Sequence, residues 1–94
     1  MTASYEVRIA SVARRQLSRL PPRAAVAVVE FITAVLPENP QRMSKPLVGE
    51  FAGLRSARRG DYRVLVEIDE HARTVLVVRI AHRAEAYRPP PPGT

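Results

Sequence analysis

The chain has 94 residues and no cysteine, with 46% hydrophobic and 26% charged residues. This composition is typical of one ordinary globular domain, and it excludes disulfide bridges and zinc–thiolate sites. Fifteen Lys and Arg residues against nine Asp and Glu residues give a net charge of +6. Such a charge predicts attraction to a polyanion: nucleic acid, an acidic protein or a membrane surface.

No apolar run of the sequence approaches the roughly 18 residues that a membrane span requires. The first ten residues, MTASYEVRIA, lack the basic start and the long apolar stretch of a signal peptide. The two histidines, His71 and His82, do not show a metal-ligand spacing. We therefore expect a cytoplasmic protein with no membrane partner, no metal site and no cofactor.

The first half of the chain predicts one strand and two helices. Apolar and charged residues alternate over residues 4–9, as in a half-buried strand. Apolar residues at helical spacing predict a first helix over 11–20, with Ser11 as its N-cap. A second helix over 22–36 begins with Pro22 and is apolar nearly all round, so we expect it to lie across one face of a sheet.

The second half of the chain predicts three more strands. Residues 37–50 are rich in proline and are interpreted as an irregular connection. Strands follow at 51–58, 62–69 and 74–80, joined by short turns. The run of prolines near the C-terminus favours an extended polyproline conformation, and we expect residues 89–94 to be flexible.

The order of these elements is a strand, two helices and a three-strand antiparallel meander. Helices segregated from a largely antiparallel sheet predict an α+β sandwich in which the helices cover one face of the sheet. No repeat or composition shift marks a boundary, so we expect a single domain over residues 1–88. The arginines must then gather on the other face of the sheet or at its rim.

The most informative stretch is SARRGDYRVLVEID, which begins at residue 56. Four arginines fall within nine residues: Arg55, Arg58, Arg59 and Arg63. A tight turn brings Arg58 and Arg63 close together, where their like charges are unfavourable unless an anion offsets them. Arg79, His82 and Arg83 follow at the end of the last strand. If these ends converge, the arginines form a phosphate-binding site; the alternative is a solvated, charged sheet face.

Tyr87 follows the second basic cluster by only a few residues. An aromatic ring beside a cationic groove can stack on an unpaired base. The alternative is a tyrosine that anchors the C-terminus to the core.

Four segments of the chain together resemble the RelE family of bacterial toxins, within the RelE/ParE superfamily. They are YEVRIASVARRQLSRLP, KPLVGEFAGL, SARRGDYRVLVEID and VVRIAHRAEAYR, and their order and spacing span nearly the whole chain. The resemblance implies a small, microbial-RNase-like α+β sandwich. It also implies the toxin of a type II toxin–antitoxin system, a ribosome-dependent and metal-independent endoribonuclease. Such toxins cut the A-site codon of mRNA by attack of the ribose 2′-hydroxyl on the adjacent phosphorus, which leaves a cyclic phosphate.

The same resemblance implies the partners. An acidic, RelB-like antitoxin wraps such toxins and holds them inactive, whereas the free toxin meets the ribosome and its mRNA. Operator DNA is contacted only through the toxin–antitoxin complex.

The resemblance also assigns roles position by position. Arg63 matches the arginine that grips phosphate in the family, and Arg83 matches the arginine that stabilises the transition state or protonates the leaving oxygen. Tyr87 matches the tyrosine that stacks on the nucleotide and assists proton transfer. Arg58 falls where the family carries a basic residue on the preceding strand, with its neighbouring arginines as close substitutes.

The chain departs from the family pattern at the general base. Some members carry a pair of lysines on the strand before the turn, where this chain has arginines and Ser56. Arginine stays charged and is a poor base, although its charge still stabilises a pentavalent phosphorane. His82 is the candidate base, because an imidazole changes its charge near neutral pH; the alternative is a positioning role at the end of the strand.

Two other functions fit the resemblance. A ParE-like protein would share the fold and length, but it would bind DNA gyrase and poison it without cleaving nucleic acid. The presence of Arg63, Arg83 and Tyr87 favours the ribonuclease, since a gyrase poison does not need this set. An inactive member of the family would serve only as a co-repressor with its antitoxin.

Overall fold

The computed structural model of the chain describes residues 4–88, so the predicted flexible tail over 89–94 lies outside the described residues. The strands are β1 (Glu6–Ile9), β2 (Ser44–Pro46), β3 (Arg55–Arg59), β4 (Tyr62–Asp69) and β5 (Thr74–His82). The helices are α1 (Ser11–Ser18) and α2 (Pro22–Glu30). A π-helical turn (Phe31–Val35) and a 3₁₀ turn (Leu36–Glu38) extend α2, and another 3₁₀ turn spans Gly49–Phe51.

The strands form one sheet in the order β1-β5-β4-β3-β2. β1 lies parallel to β5, and the other neighbouring strands are antiparallel. The predicted α+β sandwich with its antiparallel meander is therefore confirmed. Among residues 4–88, no helix has both the length and the apolar character needed to cross a bilayer.

Two segments differ from the sequence prediction. The predicted irregular connection contains β2, a three-residue edge strand that pairs with β3. A strand so short, ending in Pro46, offers no alternation for a pattern to detect. The strand expected from residue 51 begins only at Arg55, because a 3₁₀ turn occupies Gly49–Phe51 and Gly53 follows with a φ of 95°.

The start of α1 also differs from the prediction. Ala10, not Ser11, is the N-cap, since the Ala10 carbonyl already accepts the amide of Arg14 at 2.9 Å. Ser11 is the first helical residue and makes no side-chain cap hydrogen bond. Pro22 begins α2 as predicted.

The second predicted helix, over 22–36, does not keep α geometry to its end. Its last part is the π-helical turn Phe31–Val35, in which each turn holds one more residue. The Thr33 hydroxyl donates to the Val29 carbonyl at 2.8 Å, four residues back. A hydroxyl that bonds this carbonyl competes with the backbone amide for it and slightly destabilises the α-helical turn.

The helices cover one face of the sheet, which we call the helix face. Its core packs β-strand residues Val64, Val66, Val75, Val77 and Ile80 against Val28, Phe31, Ile32 and Leu36 from α2 and its extension. All of these side chains are at most 4% exposed. Burial of one such side chain contributes about 1.5–3 kcal/mol, so the core fixes which strand residues turn toward the helices.

The opposite face of the sheet, which we call the open face, is not covered by a described helix. It carries Ser56, Arg58, Arg63, Leu65 and Arg79. In β4 the side chains alternate between the two faces, because its two core valines lie on the helix face and Leu65 between them lies on the open face.

A β-bulge in β5 decides which of its side chains reach each face. Leu65 lies opposite Arg79, but the next residue of β4 lies opposite Val77, so Val78 is an extra residue in β5. An extra residue reverses the alternation that follows it. Ile80 therefore returns to the helix face, and Arg79 projects from the open face.

Gln16 of α1 completes the hydrogen bonding of β5 beyond the end of β1. The pairing of β1 with β5 extends only to Val77. Ile80 is 1% exposed, and its amide donates to Gln16 Oε1 at 2.8 Å. A buried amide without an acceptor is costly, so this side chain takes the place of a strand partner.

Replacement of Gln16 by leucine should lower the free energy of unfolding by about 1–3 kcal/mol, because the buried Ile80 amide loses its acceptor. The control is Ser11→Ala on the same helix, which should change it by less than about 0.5 kcal/mol. Urea unfolding of both variants measures the difference. Equal stability of the Gln16→Leu variant and the wild type would contradict the role given to Gln16.

Candidate functional site

A groove of about 450 Å³ lies on the open face, over β2, β3 and β4. Four cations line it, Arg42, Lys45, Arg58 and Arg63, together with Ser56 and Tyr87. Met43, Pro46 and Leu47 add apolar surface. Of the described residues that line the groove, none is acidic, so the groove is a concave site suited to an anion. Within residues 4–88, no group of three or more His, Cys, Asp or Glu residues is placed to hold a metal ion.

Strand pairing places the groove cations side by side. Arg58 lies directly opposite Arg63, and Lys45 lies directly opposite Ser56. Residues that lie opposite each other share a face, so these four side chains project from the open face. The predicted proximity of Arg58 and Arg63 is confirmed.

Backbone carbonyls hold one of the two paired guanidinium groups. Arg63 Nη1 donates to the carbonyls of Gly60 and Tyr62, both at 3.1 Å. Gly60 has a φ of 60°, a left-handed conformation that the tight turn requires and that glycine adopts without strain. These two acceptors partly offset the repulsion from Arg58, because the carbonyl dipoles place negative charge beside the cation.

Tyr87 reaches the groove from the end of the chain. Its hydroxyl is hydrogen-bonded to the Ser56 hydroxyl at 2.7 Å, and its ring meets the Phe51 ring edge to face at a centroid distance of 6.4 Å. The residue is still 42% exposed. Tyr87 is therefore anchored to the open face and at the same time leaves ring surface available for stacking.

The guanidinium group of Arg79 is hydrogen-bonded to backbone carbonyls later in the chain. Residues 83–88, which we call the C-terminal segment, follow β5 and turn back over the open face. Arg79 Nη1 donates to the carbonyls of Ala86 and Arg88, at 3.0 and 2.7 Å. Its Cζ lies 5.7 Å from the centroid of the Phe51 ring.

Three predicted site residues lie on the side of the helix face, outside the groove. Arg55 donates from Nε to Ser44 Oγ at 2.8 Å and from Nη2 to the Gln41 carbonyl at 3.0 Å, and so ties β3 to the start of β2 and to the turn before it. Arg59 pairs with Tyr62, which pairs with His82, and the rings of Tyr62 and His82 meet edge to face at 5.7 Å. The structure therefore does not bring Arg55, Arg59 or His82 together with the groove cations, because strand alternation turns them to the other side of the sheet.

Arg83 lies near the hairpin turn, apart from the groove cations and from the three residues on the side of the helix face. Its amide donates to the Asp61 carbonyl at 2.8 Å, which extends the β4–β5 pairing by one step beyond β5. Arg83 follows Ala81 by two residues, and Ala81 lies opposite Arg63 on the open face. Arg83 is thus exposed near the hairpin turn, but it does not line the groove.

Two groove cations, Lys45 and Arg42, were not expected from the sequence. Both lie in or before β2, in the stretch predicted to be irregular. Lys45 is the single lysine of the chain and stands before Pro46, and lysine and proline together are typical of an edge strand. This pair of residues was the one signal that could have indicated a strand here.

Sequence comparison identifies the relatives of the chain. A family model described as the ParE toxin of the type II toxin–antitoxin system, parDE, matches residues 7–87. Toxin RelG of Mycobacterium tuberculosis is 51% identical over 84 residues, which cover 89% of this chain and 97% of that protein. Toxin RelE of the same organism is 48% identical over 84 residues, which cover 89% of this chain and 87% of that protein.

Structural comparison agrees with these matches. The toxin–antitoxin complex RelBE2 from Mycobacterium tuberculosis contains a chain that matches with a TM-score of 0.83 and 48% identity, covering 90% of this chain and 98% of that one. The archaeal RelE–RelB complex from Pyrococcus horikoshii matches with a TM-score of 0.67 and 23% identity, covering 88% and 99%, and this likeness shows the fold alone. The family model and the two mycobacterial toxins each cover most of the chain, and the chain therefore belongs to the RelE family of toxins, within the RelE/ParE superfamily of type II toxin–antitoxin systems.

Proposed function

We propose that this toxin is a ribosome-dependent, metal-independent endoribonuclease that cuts the mRNA codon exposed in the ribosomal A site. The supporting observation is the groove, in which Arg58 and Arg63 are paired across the hairpin beside the Tyr87 phenol on Ser56. Guanidinium groups bind phosphate through paired hydrogen bonds. The exposed part of the Tyr87 ring offers a surface on which an unpaired base can stack.

In the proposed reaction, the ribose 2′-oxygen attacks the adjacent phosphorus. The 2′-O–P bond forms and the bond to the 5′-oxygen breaks, which gives a 2′,3′-cyclic phosphate and a free 5′-hydroxyl. A base takes the proton of the 2′-hydroxyl, and an acid gives a proton to the 5′-oxygen. Negative charge grows around the pentavalent phosphorus, and Arg58 and Arg63 supply fixed positive charge where it grows.

The proton transfers need groups that can change their charge. The arginines stay protonated, so of the described titratable residues that line the groove, only Lys45 and Tyr87 can exchange a proton. Ser56 lies opposite Lys45 and is bonded to the Tyr87 hydroxyl, so the amine and the phenol flank one serine. We assign the proton steps to this pair. His82 lies against Tyr62 outside the groove, which favours its alternative role as a positioning residue.

The partners of the toxin follow from the same groove. The matched mycobacterial structure is a complex of a toxin with its antitoxin. A cationic groove lined by no described acidic residue fits an acidic, RelB-like antitoxin, which would occupy the site of the RNA backbone. Operator DNA would be contacted through that complex, and the free toxin would act in the cytoplasm, on ribosomes.

Poisoning of DNA gyrase is the second candidate function. It is favoured by the family model, which is described as a ParE toxin and matches residues 7–87. A gyrase poison needs a protein-binding surface, but it does not need a phosphate groove that contains a positioned phenol. The cleavage products therefore distinguish the two candidates.

Arg63→Gln should lower mRNA cleavage about 10²- to 10³-fold, because the transition state loses one preorganised cation. Arg23→Gln is the control, since it removes the same charge from the exposed start of α2, on the other side of the sheet. The measurement is the mapping of mRNA 5′ ends in a translating extract to which antitoxin-free toxin is added.

Two outcomes would contradict the proposal, when the integrity of DNA and the growth of cells that express the toxin are measured beside the mRNA ends. DNA breaks together with intact mRNA would favour the gyrase poison. Intact mRNA, intact DNA and normal growth on expression of the wild-type toxin alone would favour an inactive co-repressor.

Lys45→Arg and Lys45→Met together separate charge from proton transfer. If Lys45 moves a proton, both variants should lose about 10²-fold or more in the single-turnover rate on programmed ribosomes, because arginine keeps the charge but does not release the proton. Circular dichroism checks that both variants are folded. A Lys45→Arg rate equal to the wild-type rate would show that Lys45 supplies charge alone.

A further inference from the structure

The C-terminal segment is tied to a single row of residues across the open face. Ser56, Leu65 and Arg79 lie opposite one another on β3, β4 and β5. At one end of the row, the Tyr87 hydroxyl bonds the Ser56 hydroxyl at 2.7 Å. At the other end, Arg79 Nη1 donates to the Ala86 carbonyl at 3.0 Å. The segment is thus bonded to the residues on both sides of Leu65, and Leu65 itself is only 1% exposed.

Arg79 fixes the backbone on both sides of Tyr87. Its Nη1 donates to the carbonyl of Ala86, which precedes Tyr87, and to the carbonyl of Arg88, which follows it. The same guanidinium group contacts the Phe51 ring, against which the Tyr87 ring packs. A planar guanidinium group can stack on an aromatic ring while its N–H groups point at fixed acceptors, and an ammonium group cannot.

The bulge at Val78 turns Arg79 toward the C-terminal segment. Val75 and Val77 are fully buried in the core, and unbroken alternation would place Arg79 beside them. Bulges occur next to active sites, where they redirect a side chain. Here the redirected side chain is one whose Nη1 is bound by two carbonyls of its own chain.

We propose that Arg79 is a positioning residue, which clamps the C-terminal segment so that the Tyr87 phenol lies on Ser56 in the groove. The inference rests on the proposed function, because it concerns the part of Tyr87 in RNA cleavage. It competes with the sequence-based assignment of Arg79 to phosphate binding, under which the guanidinium group would contact the RNA. The two roles predict different effects on rate and affinity.

The first arm of the test measures cleavage by the full chain on ribosomes programmed with one defined A-site codon. Arg79→Met should lower the single-turnover rate at saturating toxin about 100-fold, because a displaced phenol no longer meets the reacting atoms. The affinity for programmed ribosomes should change by less than about 2-fold, and adding Tyr87→Phe to this variant should have no further effect on the rate. Arg23→Met on α2 is the matched control and should leave the rate unchanged.

The second arm observes Tyr87 in the free toxin by NMR with ¹³C-labelled tyrosine. The chain has three tyrosines, and the Tyr87 signal is the one that disappears in Tyr87→Phe. In Arg79→Met it should move to the position of a solvent-exposed tyrosine, whereas the signals of Tyr5 and Tyr62 should stay in place and show that the fold is intact. Arg79→Lys, which keeps the charge but loses the planar fork, should give the same shift.

Three results would overturn the proposal. They are additive rate effects of the two substitutions, a loss of ribosome affinity at an unchanged saturated rate, and a Tyr87 signal that does not move in either Arg79 variant. The second of these results would assign Arg79 to the RNA phosphates. If the wild-type toxin cleaves no mRNA, the proposed function fails, and the tyrosine signals still decide whether Arg79 clamps the segment.

Discussion

The extra residue at Val78 sets which side chains of β5 enter the core and which reach the open face. Before Val78 the strand buries valines on the helix face, and after it Ile80 enters the same core. A regular strand would expose that isoleucine and would bury the charged Arg79 instead, at a cost of several kcal/mol. The bulge avoids this cost. Gln16 of α1 provides the acceptor that the Ile80 amide needs past the end of β1. The bulge therefore decides three things together: Ile80 enters the core, its amide meets α1, and Arg79 reaches the open face.

The crowding of cations on the open face is tolerable in the free protein for an electrostatic reason. Arg58 and Lys45 are exposed, and in water two like charges at 4 Å repel by only about 1 kcal/mol. Arg63 is held by carbonyls at the turn and stays in place without a counterion. The repulsion grows when a ligand excludes water, but a phosphate or a carboxylate then supplies the opposite charge. In the free protein, the repulsion among the groove cations therefore costs little stability. Their combined charge still attracts an anion strongly.

Much of the fold could be predicted because one strand has a strict pattern. In β4, Val64, Val66 and Ile68 alternate with Arg63, Leu65 and Glu67, and this period of two predicted both the bounds of the strand and its two faces. The segment TVLVVRI of β5 is apolar on both faces, so a change of phase at Val78 leaves no trace in the hydrophobic pattern. β2 escaped detection because three residues are too few for alternation, and Lys45 was missed with it. Arg58 and Arg63 could be paired from the turn alone, but the clamp of Arg79 depends on the bulge.

The arginine cluster of the hairpin also shows why proximity in sequence does not define a site. Neighbours in a strand point to opposite faces, so Arg58 enters the groove and Arg59 does not. Arg59 adds no charge to the groove, but Lys45 of the edge strand β2 does. The phenol of the groove belongs to Tyr87, in the C-terminal segment. The parts of the groove come from separate stretches of chain and meet only when the register of the whole sheet is correct. The groove therefore forms only when the whole sheet folds, and an unfolded toxin does not present the site.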